Sequence, residues 1–276
     1  MKRTESVFER KRLRSSVARA ALVTAVVIAA STFFRIDAAP QRGATPQPPP
    51  TPKAAAPIDL TGYWVAIVTE DWRWRMLTPS KGDYTSVPLN AEGRRVADTW
   101  DSAQEASNGC KPFGAAAIMR VPGRLHITWD GDTALKIETD AGRQTRLLRF
   151  DKTQKSGTEH TWQGYSVAEW ETVGGRGDAV VASGGGAGRG AARPRGGSLH
   201  VVTTNVRAGY YRRNGVPYSE NATMTEYFDR SADYGTEWLI VTTVVDDPQY
   251  LTQPFITSTH FKQEPDGSKW NPTPCE

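Results

Sequence analysis

Apolar residues recur mostly at every second position in the part of the chain that follows residue 58. Leu125, Ile127 and Trp129 alternate with polar neighbours, and the turn-forming Asp130-Gly131-Asp132 separates them from the next alternating run. A period of two places successive side chains on opposite faces of a strand. Turns this short join antiparallel neighbours, so the pattern predicts a three-stranded meander between residues 124 and 150.

Further strand-like runs follow the same pattern and bring the total to about ten. Many short strands with few helices are typical of a β-barrel or a β-sandwich. We therefore predict an all-β fold, an antiparallel β-barrel of about ten strands. The runs outside the meander are 63–69, 72–76, 161–171, 199–206, 222–228, 238–245 and 258–262.

One short helix is predicted over residues 91–100. Asn90 can accept a hydrogen bond from the first helical turn as an N-cap. Val96 and Trp100 lie four residues apart, on one face of such a helix. Gly93 lowers the helix propensity slightly. We expect this helix to cover or plug the barrel.

The first 38 residues have the order of a secretory signal, with a basic start, an apolar run at 20–34 and small residues at Ala38-Ala39. The apolar run has 15 residues, fewer than the roughly 18 that a spanning helix needs. A cleaved signal peptide is therefore favoured over a retained signal anchor, and both stay open. The protein is expected in the periplasm or outside the cell, where a Pro/Ala-rich linker at 39–58 precedes a single barrel domain at 59–276.

The basic character of the chain comes from the leader. The whole chain carries a net charge of +4, but residues 1–38 contribute +5, so the remainder is close to neutral at −1. A basic patch is the usual signature of nucleic-acid binding, and here it lies in a segment that export removes. Nucleic acid is therefore excluded as a partner.

Cys110 and Cys275 are the two cysteines of the chain. Two cysteines in an oxidising compartment predict one disulfide, with two free thiols as the alternative. No CxxC or HxxxH spacing accompanies them, and such spacing is what zinc sites use. We predict no metal and no cofactor.

Residues 173–197 are rich in glycine and arginine. Such a segment cannot bury enough apolar surface to offset the entropy of ordering it. We predict a disordered insertion within a hairpin of the barrel.

Two clusters of aromatic and basic residues are candidate ligand sites. If residues 72–76 form a strand, Arg73 and Arg75 project from one face and the tryptophans from the other. A guanidinium can pair with an anionic group through two hydrogen bonds. The second cluster, 210–215, lies on a predicted turn. The candidate ligand-binding residues are Arg73, Arg75, Tyr165, Tyr211, Arg212 and His126.

Gly62 and Trp64, at the start of the first strand, resemble the entry strand of lipocalin-like (calycin) barrels. That resemblance implies a glycine that lets the backbone turn tightly and a tryptophan that plugs one end of the barrel. Four segments together resemble an uncharacterised group of secreted bacterial β-rich proteins, which brings no activity with it. These segments are 60–64, 70–73, 164–171 and 245–250.

Three functions stay open. The first is a periplasmic or secreted barrel that binds a small, partly apolar ligand, with an anionic ligand as one option. The second is an enzyme of unknown reaction on the same barrel, using acid/base groups such as Glu70, Asp71 or His126. The third is a structural protein of the cell envelope. The expected partner is a small molecule, without nucleic acid and without stable membrane insertion unless the leader is retained; the sequence does not predict the oligomeric state.

Overall fold

The computed structural model describes residues 48–104, 109–153, 157–172 and 196–275. The predicted leader (1–38), residues 39–47 of the predicted linker and residues 173–195 of the predicted insertion lie outside these described residues. From Pro50 onward the chain forms one compact unit. Within the described part, no helix combines the length and the apolar character that crossing a membrane requires.

Nine strands close into a barrel. Its strand order is β1-β12-β11-β10-β7-β6-β5-β3-β2, and β2 pairs again with β1. Four shorter strands form two separate two-stranded sheets, β4 with β13 and β8 with β9. The strands are β1 (Gly62–Ala66), β2 (Arg124–Asp130), β3 (Ala134–Thr139), β4 (Ala141–Gly142), β5 (Thr145–Arg149), β6 (Tyr165–Thr172), β7 (Gly197–Thr204), β8 (Gly209–Arg212), β9 (Val216–Tyr218), β10 (Thr223–Asp233), β11 (Thr236–Asp246), β12 (Phe255–Glu264) and β13 (Thr273–Pro274).

The barrel is mixed, which corrects the expectation of a wholly antiparallel one. β5 and β6 are parallel, with Leu148 opposite Ser166 and Arg149 opposite Val167. Both strands run in the same direction, so the connection between them must return along the length of the barrel. The even spacing of apolar residues does not record such a crossover, because it reports only which face of each strand is buried.

The entry strand shows why the chain carries glycine and tryptophan at its start. Gly62 has φ +123°, a conformation that favours glycine. Trp64, two residues later, is completely buried in the barrel core, and its indole N–H donates to the Leu60 carbonyl at 3.0 Å. The strand therefore begins with a backbone conformation that favours glycine and contributes its largest side chain to the core.

The barrel interior contains an ion pair in addition to apolar side chains. Arg146 of β5 and Glu226 of β10 are both fully buried, with Arg146 Nη2 2.6 Å from Glu226 Oε2. The same nitrogen also donates to Thr203 Oγ1 at 3.3 Å, and Thr203 shares a hydrogen bond with Ser166. The interior is therefore packed around a polar network.

The two ends of the barrel differ in construction. At the end where β3 begins, Trp129 packs on Phe150 with ring centroids 5.7 Å apart, and Trp170 packs on both. The Trp170 indole donates to the Pro52 carbonyl at 2.9 Å. We call this end the base. The opposite end carries the cap, residues 67–104, 109–123 and 205–222, which includes α1 (Trp72–Arg75), α2 (Ala91–Ala97), α3 (Ala115–Ile118), the 3-10 turn Lys111–Phe113 and the β8–β9 hairpin.

Residues 72–75 form a helix, so the prediction of a strand over 72–76 is wrong. Asp71 adopts a left-handed conformation (φ 52°), and its carbonyl accepts from Trp74 N at 2.8 Å. In this helix the charged Arg75 is buried and the apolar Trp72 is exposed, the opposite of what their polarity predicts. Polarity alternation therefore misleads at this segment.

The predicted helix near residue 91 is confirmed, with an end at Ala97 in place of Trp100. Asn90 Oδ1 accepts from Gly93 N at 2.8 Å, as an N-cap does. A side chain at Gly93 would place its Cβ 2.6 Å from the Tyr250 carbonyl. The glycine therefore lets α2 approach the loop that follows β11.

Cys110 and Cys275 form the predicted disulfide, with Cα atoms 4.9 Å apart. β13 pairs in parallel with β4, and Thr273 N donates to the Asp140 carbonyl at 2.8 Å. The disulfide thus fastens the C-terminal tail to the residue that precedes the 3-10 turn of the cap.

Candidate functional site

A positively charged cleft opens in the cap. Its walls come from α1, from the segment between the 3-10 turn and β2, and from the end of β8. Its cavity volume is about 30 Å³. We call it the arginine cleft, lined by Trp74, Arg75, Pro112, Ala117, Arg120, Val121, Pro122, Tyr211, Arg212 and Arg213.

Arg75, the last residue of α1, joins two walls of the cleft. Its Nε donates to the Arg120 carbonyl at 3.0 Å, and its Nη1 donates to the Ile67 carbonyl at 2.5 Å. The residue is only 6% exposed, yet its Nη2 has no hydrogen-bond partner among the described residues. One N–H-bearing nitrogen of this buried cation is therefore left without an acceptor among those residues.

Arg212 repeats this arrangement on the opposite wall. Its Nη2 donates to Ser86 Oγ at 2.9 Å, and its guanidinium carbon lies 4.8 Å from the centroid of the Trp74 ring. It is also 6% exposed, and its Nη1 has no hydrogen-bond partner in the described part of the chain. A buried donor without a partner costs about 1–3 kcal/mol, and more when it is charged. Two unpaired charged donors in one cleft therefore carry a free-energy cost that the fold alone does not offset.

The positive charges of the cleft oppose one another. Burial first, and the positive charge of Arg120 second, lower the pKa of Arg75 to about 10. The pKa of Arg212 is also lowered to about 10, again by burial first and by Arg120 second. The three guanidinium groups are therefore close enough to repel, and an anion between them would relieve that repulsion.

Acidic groups only partly offset this charge. Asp71 pairs with Arg120 at 2.7 Å. Asp83 pairs with Arg73, which does not line the cleft, at 2.9 Å. Glu70 lies 2.5 Å from His260 Nδ1, close but outside hydrogen-bond geometry. The negative charges of Glu70, Asp71 and Asp83 also act on the cleft, where each raises the pKa of Arg75 or Arg212. Four arginines line the cleft against these three acids, so an excess of positive charge remains.

Of the predicted ligand-binding residues, the structure brings Arg75, Tyr211 and Arg212 together in this cleft. Arg73 projects to solvent and pairs with Asp83. The inference that Arg73 and Arg75 share one face fails, because a helix turns them in different directions.

Tyr165 and His126 lie on the outer surface of the barrel. Tyr165, in β6, has the guanidinium carbon of Arg149 5.0 Å from its ring centroid. His126, in β2, stacks on Tyr63 with ring centroids 4.1 Å apart, and its Nδ1 lies 3.4 Å from Glu138. Neither residue lines the arginine cleft.

The acid/base groups named from the sequence do not converge either. His126 is opposite Tyr63 on β1, whereas His260, the neighbour of Glu70, accepts through its carbonyl from Ile67 N. Four residues of extended chain separate Tyr63 from Ile67, which corresponds to about 13 Å. Glu70 and His126 are therefore too far apart to act on one substrate bond.

Tyr211 lines the cleft through its ring. Its ring lies 5.4 Å from that of Tyr218 and 5.3 Å from that of Phe255. Burial raises the pKa of Tyr211 well above its ordinary value, and the negative charge of Asp247 raises it further. No arginine contributes to this shift, so we do not count its hydroxyl as a donor to an anion in the cleft.

Sequence reasoning missed Trp74 and Arg120 as parts of the site. Arg120 follows the alanine-rich α3 (Ala115–Ile118), and nothing in that spacing marks it as functional. The strand prediction places Trp74 on the face opposite the arginines, but its ring lies against the guanidinium of Arg212. Arg213 belonged to the aromatic and basic cluster at 210–215, so that signal did indicate it.

Among the described residues, no group of three or more His, Cys, Asp or Glu is placed to hold a metal ion. Comparisons of the chain with protein-family models, with curated proteins and with solved structures give no match. The function is therefore argued from the geometry of the cleft.

Proposed function

We propose that this protein is a periplasmic or secreted β-barrel protein that binds a small, partly apolar, anionic ligand in the arginine cleft. The main support is that Arg75 and Arg212, both more than nine-tenths buried, each leave one guanidinium nitrogen without a partner in the same cleft. The disulfide Cys110–Cys275 is compatible with export.

The chemistry of the walls favours a ligand with a carboxylate or phosphate group. Guanidinium groups form short, charge-assisted hydrogen bonds to such groups, often two at a time. Several positive charges match a phosphate better than a carboxylate, because a phosphate ester carries about −1.5 to −2 at pH 7. Pro112, Ala117 and Val121 provide apolar wall for the remainder of the molecule.

Anion binding would also explain why the chain keeps two incompletely paired cations in its cap. A ligand that binds only the folded state stabilises it, by about 2.7 kcal/mol at a hundred times the dissociation constant. The free-energy cost of the unpaired donors is then offset in the bound form. In a purely structural cap, apolar side chains of similar length would fill these positions more favourably.

The test compares two arginines of the same region. Calorimetric titration of the purified protein with phosphate, sulfate and acetate should show binding that Arg212→Met weakens at least about tenfold, which corresponds to about 1.4 kcal/mol. Arg73→Met removes an exposed arginine outside the cleft, so its affinity should stay near that of the wild type.

A second variant covers the case in which Arg212→Met folds poorly. Arg213 lines the cleft but is exposed, so Arg213→Gln should keep the fold and still weaken binding. Equal affinities in Arg73→Met, Arg212→Met and Arg213→Gln would refute the assignment of the cleft, as would a lack of binding to all three anions. Cell fractionation of the full chain tests the compartment, and recovery only from the cytosol would contradict export.

A further inference from the structure

Large apolar side chains that are exposed to solvent concentrate beside the arginine cleft. In the described part of the chain, Trp72 is 57% exposed, Met76 53% and Leu77 58%, all within six residues. The other exposed large side chains, Tyr234 and Ile256, are isolated from this group and from each other along the sequence. Three such residues at one site form a patch, and single ones do not.

These three residues, the apolar ridge, share an element with the cleft. Trp72 and Met76 are four residues apart and therefore lie on the same side of the helical turn. Trp74 and Arg75, between them, face the cleft. The α1 segment thus presents an apolar edge to solvent on one side and a cationic wall on the other.

Two exposed arginines lie beside the ridge, and Asp71, the acid that directly precedes Trp72, is paired with Arg120. Arg73 has a side chain that is 63% exposed, and Arg213 is exposed at the mouth of the cleft. Apolar side chains, tryptophan in particular, flanked by cations are the combination that binds the boundary between lipid head groups and acyl chains. The apolar part enters that boundary, and the cations attract anionic head groups.

We propose that the cap docks on a membrane surface that contains anionic phospholipid. The apolar ridge enters the head-group region, and the arginine cleft receives the phosphate of one lipid. The second half of this proposal rests on the proposed function of the cleft, whereas the ridge stands on its own exposure.

Charge argues for lipid against a second copy of the chain. A symmetric dimer through the ridge would place the same surface on both subunits. Two arginine clefts would then lie close together, and like charges at an interface are repulsive. A lipid surface supplies negative charge and an apolar layer together.

The experiment is co-sedimentation of the full-length mature protein with two kinds of vesicles, phosphatidylcholine alone and equal parts of phosphatidylcholine and phosphatidylglycerol. The wild type should bind the second kind and lose binding as salt increases, because added ions screen surface charges. The triple variant Trp72→Ser, Met76→Ser, Leu77→Ser should bind at least about tenfold more weakly. All three residues are exposed, so its thermal midpoint should match that of the wild type.

The matched control is Tyr234→Ser, which removes an exposed aromatic residue that is 97% exposed on the β10–β11 hairpin at the base. This variant should bind vesicles as the wild type does. A triple variant that binds as well as Tyr234→Ser would overturn the docking surface. A wild type that is dimeric in sedimentation, with a monomeric triple variant and no vesicle binding, would assign the ridge to a second copy and also overturn it.

Inorganic phosphate separates the two proposals. Protein that binds phosphate in the calorimeter but no vesicles would refute membrane docking and leave the proposed function intact. Protein that binds neither would refute both. Vesicle binding that depends on the ridge but is unchanged in Arg213→Gln would refute the role of the cleft in docking.

Discussion

Buried arginines in the barrel and in the cap have opposite surroundings. In the barrel, Arg146 meets Glu226 through both terminal nitrogens, at 3.2 and 2.6 Å, and only its Nε lacks a partner. In the cap, Arg75 and Arg212 donate to carbonyl and hydroxyl oxygens, which carry no full charge. Arg146 is thus neutralised by a carboxylate in direct contact, whereas the hydrogen bonds found for Arg75 and Arg212 run to neutral oxygens.

The two ends of the barrel extend this contrast. At the base, the indole N–H of Trp170 is satisfied by the Pro52 carbonyl, and the aromatic rings are packed against each other. In the cap, polar groups are left unpaired and the apolar ridge is exposed. Unsatisfied groups concentrate at functional sites, because a surface that is saturated internally has no capacity left to bind.

The largest expected effect comes from breaking the pair in the barrel. Glu226→Gln leaves Arg146 buried without a counterion, which should destabilise the protein by about 3–5 kcal/mol. Urea unfolding followed by tryptophan fluorescence measures this change. The double variant Arg146→Met, Glu226→Leu should recover most of the loss, because it removes both charges together. Exposed ion pairs contribute less than about 1 kcal/mol to stability. If Glu226→Gln lowers the free energy of unfolding by less than that, Arg146 does not depend on its counterion and the contrast between barrel and cap arginines fails.

The pH dependence of anion binding gives an intermediate effect. The pKa values of Arg75 and Arg212 are lowered to about 10, so both stay charged at neutral pH and lose their charge as the pH rises through 10. Sulfate affinity should therefore be flat between about pH 5 and 9, where an unshifted arginine also keeps its charge, and should fall above this range. Calorimetry across the range measures it, and a fall between pH 6 and 8 would point to histidine instead.

The same shifts determine the sign of the effect on stability. The folded state holds these protons less tightly than the unfolded state, so the unfolded chain binds more protons once the pH exceeds about 10. Stability contributed by these two groups therefore rises with pH above that point. Above about pH 10, the free energy of unfolding of the ligand-free wild type should therefore increase relative to that of Arg212→Met, while the affinity for sulfate decreases.

The smallest expected effect is the change in stability when Arg212 of the cleft is replaced in the absence of ligand. In the absence of ligand at neutral pH, Arg212→Met should change the free energy of unfolding by less than about 1 kcal/mol, because it removes a desolvated charge together with a single hydrogen bond. Excess sulfate should then stabilise the wild type by at least about 1 kcal/mol more than it stabilises this variant, because the variant binds sulfate about tenfold more weakly. Thermal unfolding measures both, and a large loss without ligand would class Arg212 with Arg146.

Candidate residues could be selected from the sequence, but their arrangement could not. Arg75 and Arg212 were noticed because each is adjacent to aromatic residues, and both line the cleft. Arg73 was noticed for the same reason and is outside it, since helical geometry turns it toward Asp83. Arg120 had no local signal, because its role depends on residues that are distant in sequence.

Features that depend on neighbouring residues could be predicted from the amino-acid sequence alone. Alternating polarity indicated the barrel strands, Asn90 indicated the start of α2, and the two cysteines indicated the disulfide. These follow from backbone geometry and from the preference of apolar side chains for one buried face. Only the tertiary structure decided that β5 and β6 are parallel, that Glu226 neutralises Arg146, and that three guanidinium groups meet in the cap. The physical reason is that burial and electrostatic balance are properties of segments that meet in space, and no local pattern encodes which distant segments will meet.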